Sequence, residues 1–486
     1  MSAPPRVILI NPPVTERQRS GPIGPVIRNL YFNSPPLGLA YLAAVLERAG
    51  SKVELMDAAV EGFSMADAVE RVRAFAPDVA GVTSTTNYFG NALELARLLK
   101  AALPALPVMI GGPHATRNPE AMLEHPCFDA VCIGEGERTV LELVAALGGG
   151  AGLSEVKGIA FRAGGLPRLT EPRELIENMD EIPMPARHLL PLSKYVPQPN
   201  DGPYVPKFAM ITSRGCPYEC IFCDHGIFGV SYRSFSPARI VDEAEQLVNR
   251  FGARDIAFVD SLFMPTVKRV RDIVEEMQRR KLRVHWTCTI RANVATREIL
   301  DEMKRAGCWR VRIGVESGNE EVLKFIRKRV TKDQVRKVAR NAHAAGLHPK
   351  AFFMIGHPTD TEATIRESIA FAKELPLTDI TVQINTPMPG ALQSTFIRDY
   401  GTIVTDDLER YSFWEPVFVP RGLTRERMIE LYREFYRSFY LRPAIWWRHL
   451  RMFKNWNDFA RYARALRLLV NMFIRKRPSA AEEACG

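Results

Sequence analysis

Nowhere in the 486 residues is there a run of about 18 apolar side chains, so a membrane-spanning helix is not expected. The opening stretch PPRVILINPP lacks a basic region followed by a long apolar one, and it reads as a first strand, not a secretory signal. Cysteine is scarce. Five of the eight, Cys127, Cys132, Cys288, Cys308 and Cys485, stand singly, which excludes the disulfide framework of a secreted domain and points to a cytoplasmic protein with reduced thiols. No second C-x2-C accompanies the one in the chain, which argues against a closed four-ligand zinc site. No G-x-G-x-x-G follows the first strand, where the chain has NPPVTE, and this sets aside nicotinamide dinucleotide chemistry.

What is present is organised in two alternations of strand and helix. The first 145 residues carry strand-like runs RVILINPP, KVELMDA, DVAGVTS, LPVMIGGP and DAVCIGEGE between helical patterns, the signature of a doubly wound parallel sheet. In such a sheet ligands bind beyond the carboxyl ends of the strands. There the chain places Asn11-Pro12-Pro13, Gly38, Ser84-Thr85-Thr86, Gly111-Gly112-Pro113-His114 and Gly134-Glu135-Gly136-Glu137. A Gly- and Pro-rich stretch over 149–204 reads as a linker. From 205 to 400 a second alternation, FAMITS, DIAFVD, RVHWTCTIR, WRVRIGVES, HPKAFFMIG and DITVQINTP with helices between, predicts a partial (β/α)6 barrel of the TIM type. The expected architecture is thus α/β: a Rossmann-like domain over 1–148, the linker, the partial barrel, and a helical C-terminal region over 401–486.

Just after the first barrel strand lies RGCPYECIFCDHG, with Cys216, Cys220 and Cys223 in a C-x3-C-x2-C run. Three close thiolates without a fourth suit an iron–sulfur cluster with one iron left open to bind something else.

This run, with the aromatic Phe222 before its third cysteine, resembles the signature of radical S-adenosylmethionine enzymes. The resemblance implies a [4Fe-4S] cluster whose open iron chelates the methionyl amine and carboxylate of S-adenosyl-L-methionine. It further implies contacts from Glu316 and Ser317 in IGVESG to ribose and amino group, from Arg291 in TIRANV to the carboxylate, and from Asp260 and Ser261 in FVDSLF to the amine. MIGHPTDTEAT resembles the adenine-side motif. The first domain, through NPP, PPLGLAYLAAVLE, GGPHAT and IGEGE, resembles the cobalamin-binding domain of one branch of the same superfamily. There is no D-x-H-x-x-G loop to supply a histidine to cobalt, and His114 is expected beside the corrin, not on the metal. Glycines 111, 112, 134 and 136 permit close backbone approach, and Ser84, Thr85 and Thr86 offer hydroxyls to a nucleotide tail.

The activity implied is methylation of an unactivated carbon through a 5'-deoxyadenosyl radical and methylcobalamin, with an electron donor such as flavodoxin or ferredoxin. An oxidative cyclase of the anaerobic bacteriochlorophyll type is the alternative, and a cobalamin sensor without catalysis is a remote one. A methylthiotransferase is disfavoured because no cysteine precedes Cys127. The net charge of +10 sits almost wholly in 441–478, where aromatic residues are interleaved with Lys and Arg. An amphipathic helix over 459–474 there suits either an anionic membrane surface or packing on the barrel. The first of these would go with an isoprenoid, lipid or tetrapyrrole substrate. No nucleic-acid module accompanies the charge.

Overall fold

The computed structural model describes residues 4–15, 35–149, 152–195, 197, 202 and 204–450. Five parallel strands, β1 (Arg6–Asn11), β2 (Lys52–Asp57), β3 (Val79–Thr83), β4 (Val108–Gly111) and β5 (Ala130–Cys132), lie in the spatial order β2-β1-β3-β4-β5. Val7, Ile8, Leu9 and Ile10 are at most 1% exposed, because helices cover both faces and a strand buried on both sides is apolar at every position. Helices Leu37–Arg48 and Thr139–Leu147 pack on one face, Met65–Phe75 and Phe89–Ala102 on the other. The strand order reverses between β1 and β3, so the loops leaving them diverge and open a crevice at their carboxyl ends.

The stretch read as a linker is built into both domains. β6 (Ile159–Ala163) and β7 (Leu166–Leu169) form a hairpin that adds two antiparallel strands beyond β5. Further on, Ala186 and Leu190 enter the first core, while Ile176, Met179 and Ile182 enter the second. The buried Arg187 donates to the Ala209 carbonyl at 3.0 Å and pairs with Glu243 at 2.7 Å. Gly164 and Gly165, both at positive φ, turn the hairpin, and the described part of the segment is packed, not a slack tether.

The second sheet consists of β8 (Lys207–Met210), β11 (Asp255–Phe258), β12 (His285–Ile290), β13 (Cys308–Glu316), β14 (His348–Ile355) and β15 (Asp379–Ile384), all parallel, in the order β15-β14-β13-β12-β11-β8. It is the six-stranded half-barrel that the alternation predicts. Its helices Pro237–Phe251, Val267–Arg279, Arg297–Arg305, Lys332–Ala344 and Glu362–Glu374 each start on a Ser or Thr, at 236, 266, 296, 331 and 361. The side chain of each accepts a first-turn backbone N–H, which satisfies a donor the helix leaves open.

The C-terminal region becomes α-helical only at Arg425, after a small antiparallel pair, Gly401–Ile403 with Phe418–Pro420. Helix Arg425–Tyr440 covers the edge strand β15: the Tyr436 hydroxyl accepts the Val382 N–H at 2.9 Å and donates to its carbonyl at 3.2 Å. Backbone groups that would otherwise invite another strand are thereby closed off. The expected amphipathic helix over 459–474 lies outside the described residues.

Candidate functional site

The three cysteines sit on a loop with a narrow neck. β9 (Ser213–Arg214) and β10 (Arg233–Ser234) pair antiparallel, with Arg214 opposite Arg233, and 215–232 form the loop between them. Gly215 makes the closure possible: at φ 78°, any side chain there would run into the Ser231 carbonyl. Asp260 holds the entry. Its carboxylate accepts the backbone N–H groups of Thr212 and Ser213, both at 2.6 Å, and the Thr212 hydroxyl at 2.9 Å. Ser261 beside it is exposed. Within the loop Cys223 N–H donates to the Cys220 carbonyl at 3.0 Å, and Ile221 packs against Val322, Leu323 and Ile326 behind it.

The ends of β12, β13 and β14 bring polar side chains to the same place. Glu316, the last residue of β13, is held at φ 68°, and its carboxylate receives Lys328 Nζ at 2.5 Å with both side chains about a tenth exposed. A non-glycine residue persists in that left-handed region only where its surroundings impose it, which is common in functional sites. The Arg291 guanidinium stacks over the Tyr218 ring, 3.4 Å from its centroid, and donates to the Lys328 carbonyl; its Nε is buried with no partner among the described residues. Ser317 is buried; its hydroxyl accepts the Asn319 N–H at 3.2 Å and lies 3.3 Å from that of Ser368. His357, after β14, is fully buried 5.7 Å from the Phe222 ring, and neither ring nitrogen has a partner among the described residues. Burial drops its pKa to about 3, with Lys328 adding to the effect, and burial lifts nearby Asp360 to about 6. Lys328 carries no motif that singled it out as a site residue, whereas His357 and Asp360 lie in MIGHPTDTEAT, the stretch that resembles the adenine-side motif.

Among the described residues no three His, Cys, Asp or Glu side chains converge as ligands of a single metal ion would. Ligands of separate irons in a cluster stand farther apart. The three thiols are nevertheless close enough to perturb one another. Burial, then the backbone, Arg291 and Cys220 act on Cys216, whose pKa is raised; Cys223 keeps an exposed edge but is pushed up to about 12 by the surrounding protein and by Cys220. Such thiols remain protonated until a metal displaces the proton. This donor set fits the cluster and does not fit a zinc ion.

At the carboxyl ends of β1, β3 and β4 the structure gathers Pro12, Pro13, Ser84, Thr85, Thr86, Gly111, Gly112 and His114. Gly112 is at φ 98°, ψ −177°, and a Cβ on it would lie 2.7 Å from the Ser84 carbonyl oxygen. His114 N–H donates to that same carbonyl at 3.2 Å, and its Nδ1 is 3.3 Å from the Thr86 hydroxyl. Burial lowers the His114 pKa to about 4, so the ring is neutral near pH 7. The Asn11 amide turns to Asp57 at 2.7 Å, where the Tyr195 hydroxyl also donates at 2.7 Å. Gly38 is an exposed position at the start of helix Leu37–Arg48. The hydroxyls, glycines and one neutral imidazole gathered there fit a large, mostly neutral cofactor better than a polyphosphate.

The loop after β5 faces the second domain. Gly134 N–H donates to the Thr116 hydroxyl at 3.1 Å, and a Cβ on Gly136 would meet Leu42 at 3.0 Å. The carboxylates of Glu135 and Glu137 are both engaged from across the domain boundary: Arg214 reaches Glu135 at 2.8 Å and Glu137 at 2.5 Å, and Arg233 reaches Glu135 at 2.8 Å. Nearby, Arg117 pairs with Asp224, the residue after Cys223, at 2.5 Å. These three cations were not legible as site residues, because a pair formed across domains leaves no local spacing.

Residues 23–144 match the family model of the B12 binding domain, and residues 210–372 that of the radical SAM superfamily. An uncharacterized methyltransferase of Pyrococcus horikoshii is 36% identical over 90% of this chain and 93% of its own length. An anaerobic magnesium-protoporphyrin IX monomethyl ester cyclase of Rubrivivax gelatinosus is 29% identical over 85% of this chain and 75% of that protein. The hopanoid C-3 methylase of Methylococcus capsulatus is 30% identical over 74% and 68%. Among solved structures, the radical S-adenosylmethionine methyltransferase TsrM of Kitasatospora setae, with cobalamin and a [4Fe-4S] cluster bound, superposes with a TM-score of 0.71 at 18% identity, covering 91% of this chain and 90% of that one.

Proposed function

Given that the chain belongs to the cobalamin-dependent radical S-adenosylmethionine enzymes, we propose that it is a methyltransferase acting on an unactivated carbon of an apolar or amphipathic small molecule. Cys216, Cys220 and Cys223 hold three irons of the cluster. Arg291, already oriented by Tyr218, offers a guanidinium fork to the methionyl carboxylate, and Glu316 and Ser317 bind on the ribose and amino side. Asp260 acts through Thr212 and Ser213, by fixing the start of the cysteine loop. When bound, the cluster with S-adenosylmethionine supplies a hydrogen-abstracting radical and the cobalamin supplies a methyl group. The residues gathered at the ends of β1, β3 and β4 carry the corrin and its tail, with His114 supporting it through Thr86.

The observation that supports this reading most is that the cysteine loop and the corrin-side loops are joined by buried ion pairs, so the two cofactor sites share one boundary. The apolar substrate class rests on the hopanoid C-3 methylase among the relatives. The cyclase relative keeps ring closure as the second reading. Anaerobic reconstitution with iron, sulfide and cobalamin, followed by mass analysis of cell extracts from a deletion strain, separates the two: methyl transfer gives a product heavier than its precursor by one methylene, and ring closure gives one with no added carbon.

A flavodoxin- or ferredoxin-like donor reduces the cluster, and the basic C-terminal tail docks on anionic lipid. The start of that tail supports the docking: Leu441, Trp446 and Trp447 are 61%, 46% and 59% exposed. Ile445 is buried and Arg448 donates to the Leu377 carbonyl at 2.5 Å, so helix Pro443–Leu450 belongs to the barrel. Truncation after Leu450 leaves it intact but removes most of the tail's Lys and Arg, and the truncated protein should bind phosphatidylserine vesicles more weakly; unchanged binding would remove the membrane role.

A further inference from the structure

We propose that Glu135 is a positioning residue through which the first domain closes the neck of the cysteine loop. The proposal rests on the reading of that loop as the cluster site. Arg214 and Arg233 face each other across the two-residue ladder β9–β10, and like charges directly opposite in a ladder push its strands apart. Both are at most 5% exposed, and a buried guanidinium needs an anion beside it. Among the described residues, their ion-pair partners are Glu135 and Glu137, both from the first domain. Among the described residues, the second domain thus folds its cysteine loop around two cations for which it supplies no acid of its own.

Glu135 is shaped for this task. One oxygen accepts from Arg214 at 2.8 Å and the other from Arg233 at 2.8 Å and from the Ile176 N–H at 2.9 Å. Burial would raise its pKa, but the arginines outweigh burial and hold it below the usual carboxylate range. Tyr41 and Phe228 flank Arg214, with ring centroids 5.5 and 4.9 Å away, and keep water from replacing the acid. At the other end of the loop, Arg117 donates to Asp224 through Nε at 2.7 Å, and Asp224 accepts the Gly226 N–H at 2.8 Å. Arg117 lies on the short helix that begins at His114's neighbour Pro113. Residues next to the corrin-side loops therefore grip the cysteine loop at its neck and just past Cys223.

The test is hydrogen exchange on the metal-free full chain, comparing wild type with Glu135→Gln and Glu135→Asp. In the Gln variant amides of 215–232 should exchange at least about tenfold faster, while strands 7–11 and 285–290 stay within about twofold, because the opening is local. Glu135→Asp should restore part of the protection. After reconstitution, the Gln variant should lose iron to a chelator several-fold faster than wild type. Wild-type exchange over 215–232 in the Gln variant overturns the proposal, and so does equal acceleration in all three regions. If Glu135→Gln does not fold, Arg117→Gln carries the test at the more exposed tie, with a threefold or greater acceleration over 220–226 expected and none contradicting it. A wild-type protein that takes up no iron would refute the proposed function, whereas the exchange result would still decide the role of Glu135.

Discussion

Replacing Gly112 by alanine tests the corrin-side crevice at its tightest point. With φ 98° and ψ −177°, Gly112 occupies a region that is essentially confined to glycine and costs other residues about 1–3 kcal/mol. The added Cβ would also stand 2.7 Å from the Ser84 carbonyl oxygen and 2.9 Å from the Thr83 hydroxyl. That strain has two outlets. If the loop keeps its shape, the apoprotein loses about 1–3 kcal/mol and melts a few degrees lower. If the loop relaxes away from Ser84, stability is retained, and the same energy appears as cobalamin affinity weakened by about 5- to 150-fold, since 1.4 kcal/mol is a factor of ten. The two losses should sum to the strain. Thermal melting of the apoprotein and a cobalamin titration followed by absorbance measure them separately. Gly111→Ala is the internal control: its Cβ would meet the Cys132 Cβ at 3.5 Å and the Cys132 carbonyl oxygen at 3.8 Å, both ordinary contacts. Wild-type stability together with wild-type affinity in Gly112→Ala would refute the reasoning, as would equal damage from Gly111→Ala.

Serine at Cys216, Cys220 or Cys223 should each prevent stable cluster assembly, read as iron per chain after desalting, while cobalamin still binds; normal iron content would contradict this. Lys328→Met leaves the Glu316 carboxylate nearly buried without its partner, and urea unfolding should report a loss of about 2–4 kcal/mol, largely recovered by Lys328→Arg. His357 has a folded pKa of about 3, below its unfolded value near 6.5. Below pH 6.5 the unfolded chain therefore binds the extra proton, and stability falls on acidification by up to about 1.4 kcal/mol per pH unit until about pH 3. His357→Leu should flatten that slope between pH 6 and 4 in denaturant titrations, and an unchanged slope would show that another group controls it.

The strands were legible because most are buried on both faces: Trp286, Val311, Ile313 and Ile380 are at most 1% exposed, and a continuous apolar run between turn residues is a robust signal. The hairpin β6–β7 was not, because all four residues of β7 are exposed and an edge strand without a buried face shows no alternation. The three cysteines stood out through local spacing. Lys328, Arg117, Arg214 and Arg233 did not, since each meets its partner across 12 to 107 residues and only folding brings the two together. Glu135 and Glu137 were legible as members of a glycine-rich loop, but their arginine partners were not.

The most direct measurement is made on wild-type protein reconstituted anaerobically with iron, sulfide and cobalamin. The reduced cluster's paramagnetic resonance signal is recorded before and after adding S-adenosylmethionine. The signal should shift as the sulfonium compound chelates the open iron, and 5'-deoxyadenosine should then be released. A fully loaded cluster whose signal does not move and which releases no deoxyadenosine would contradict it.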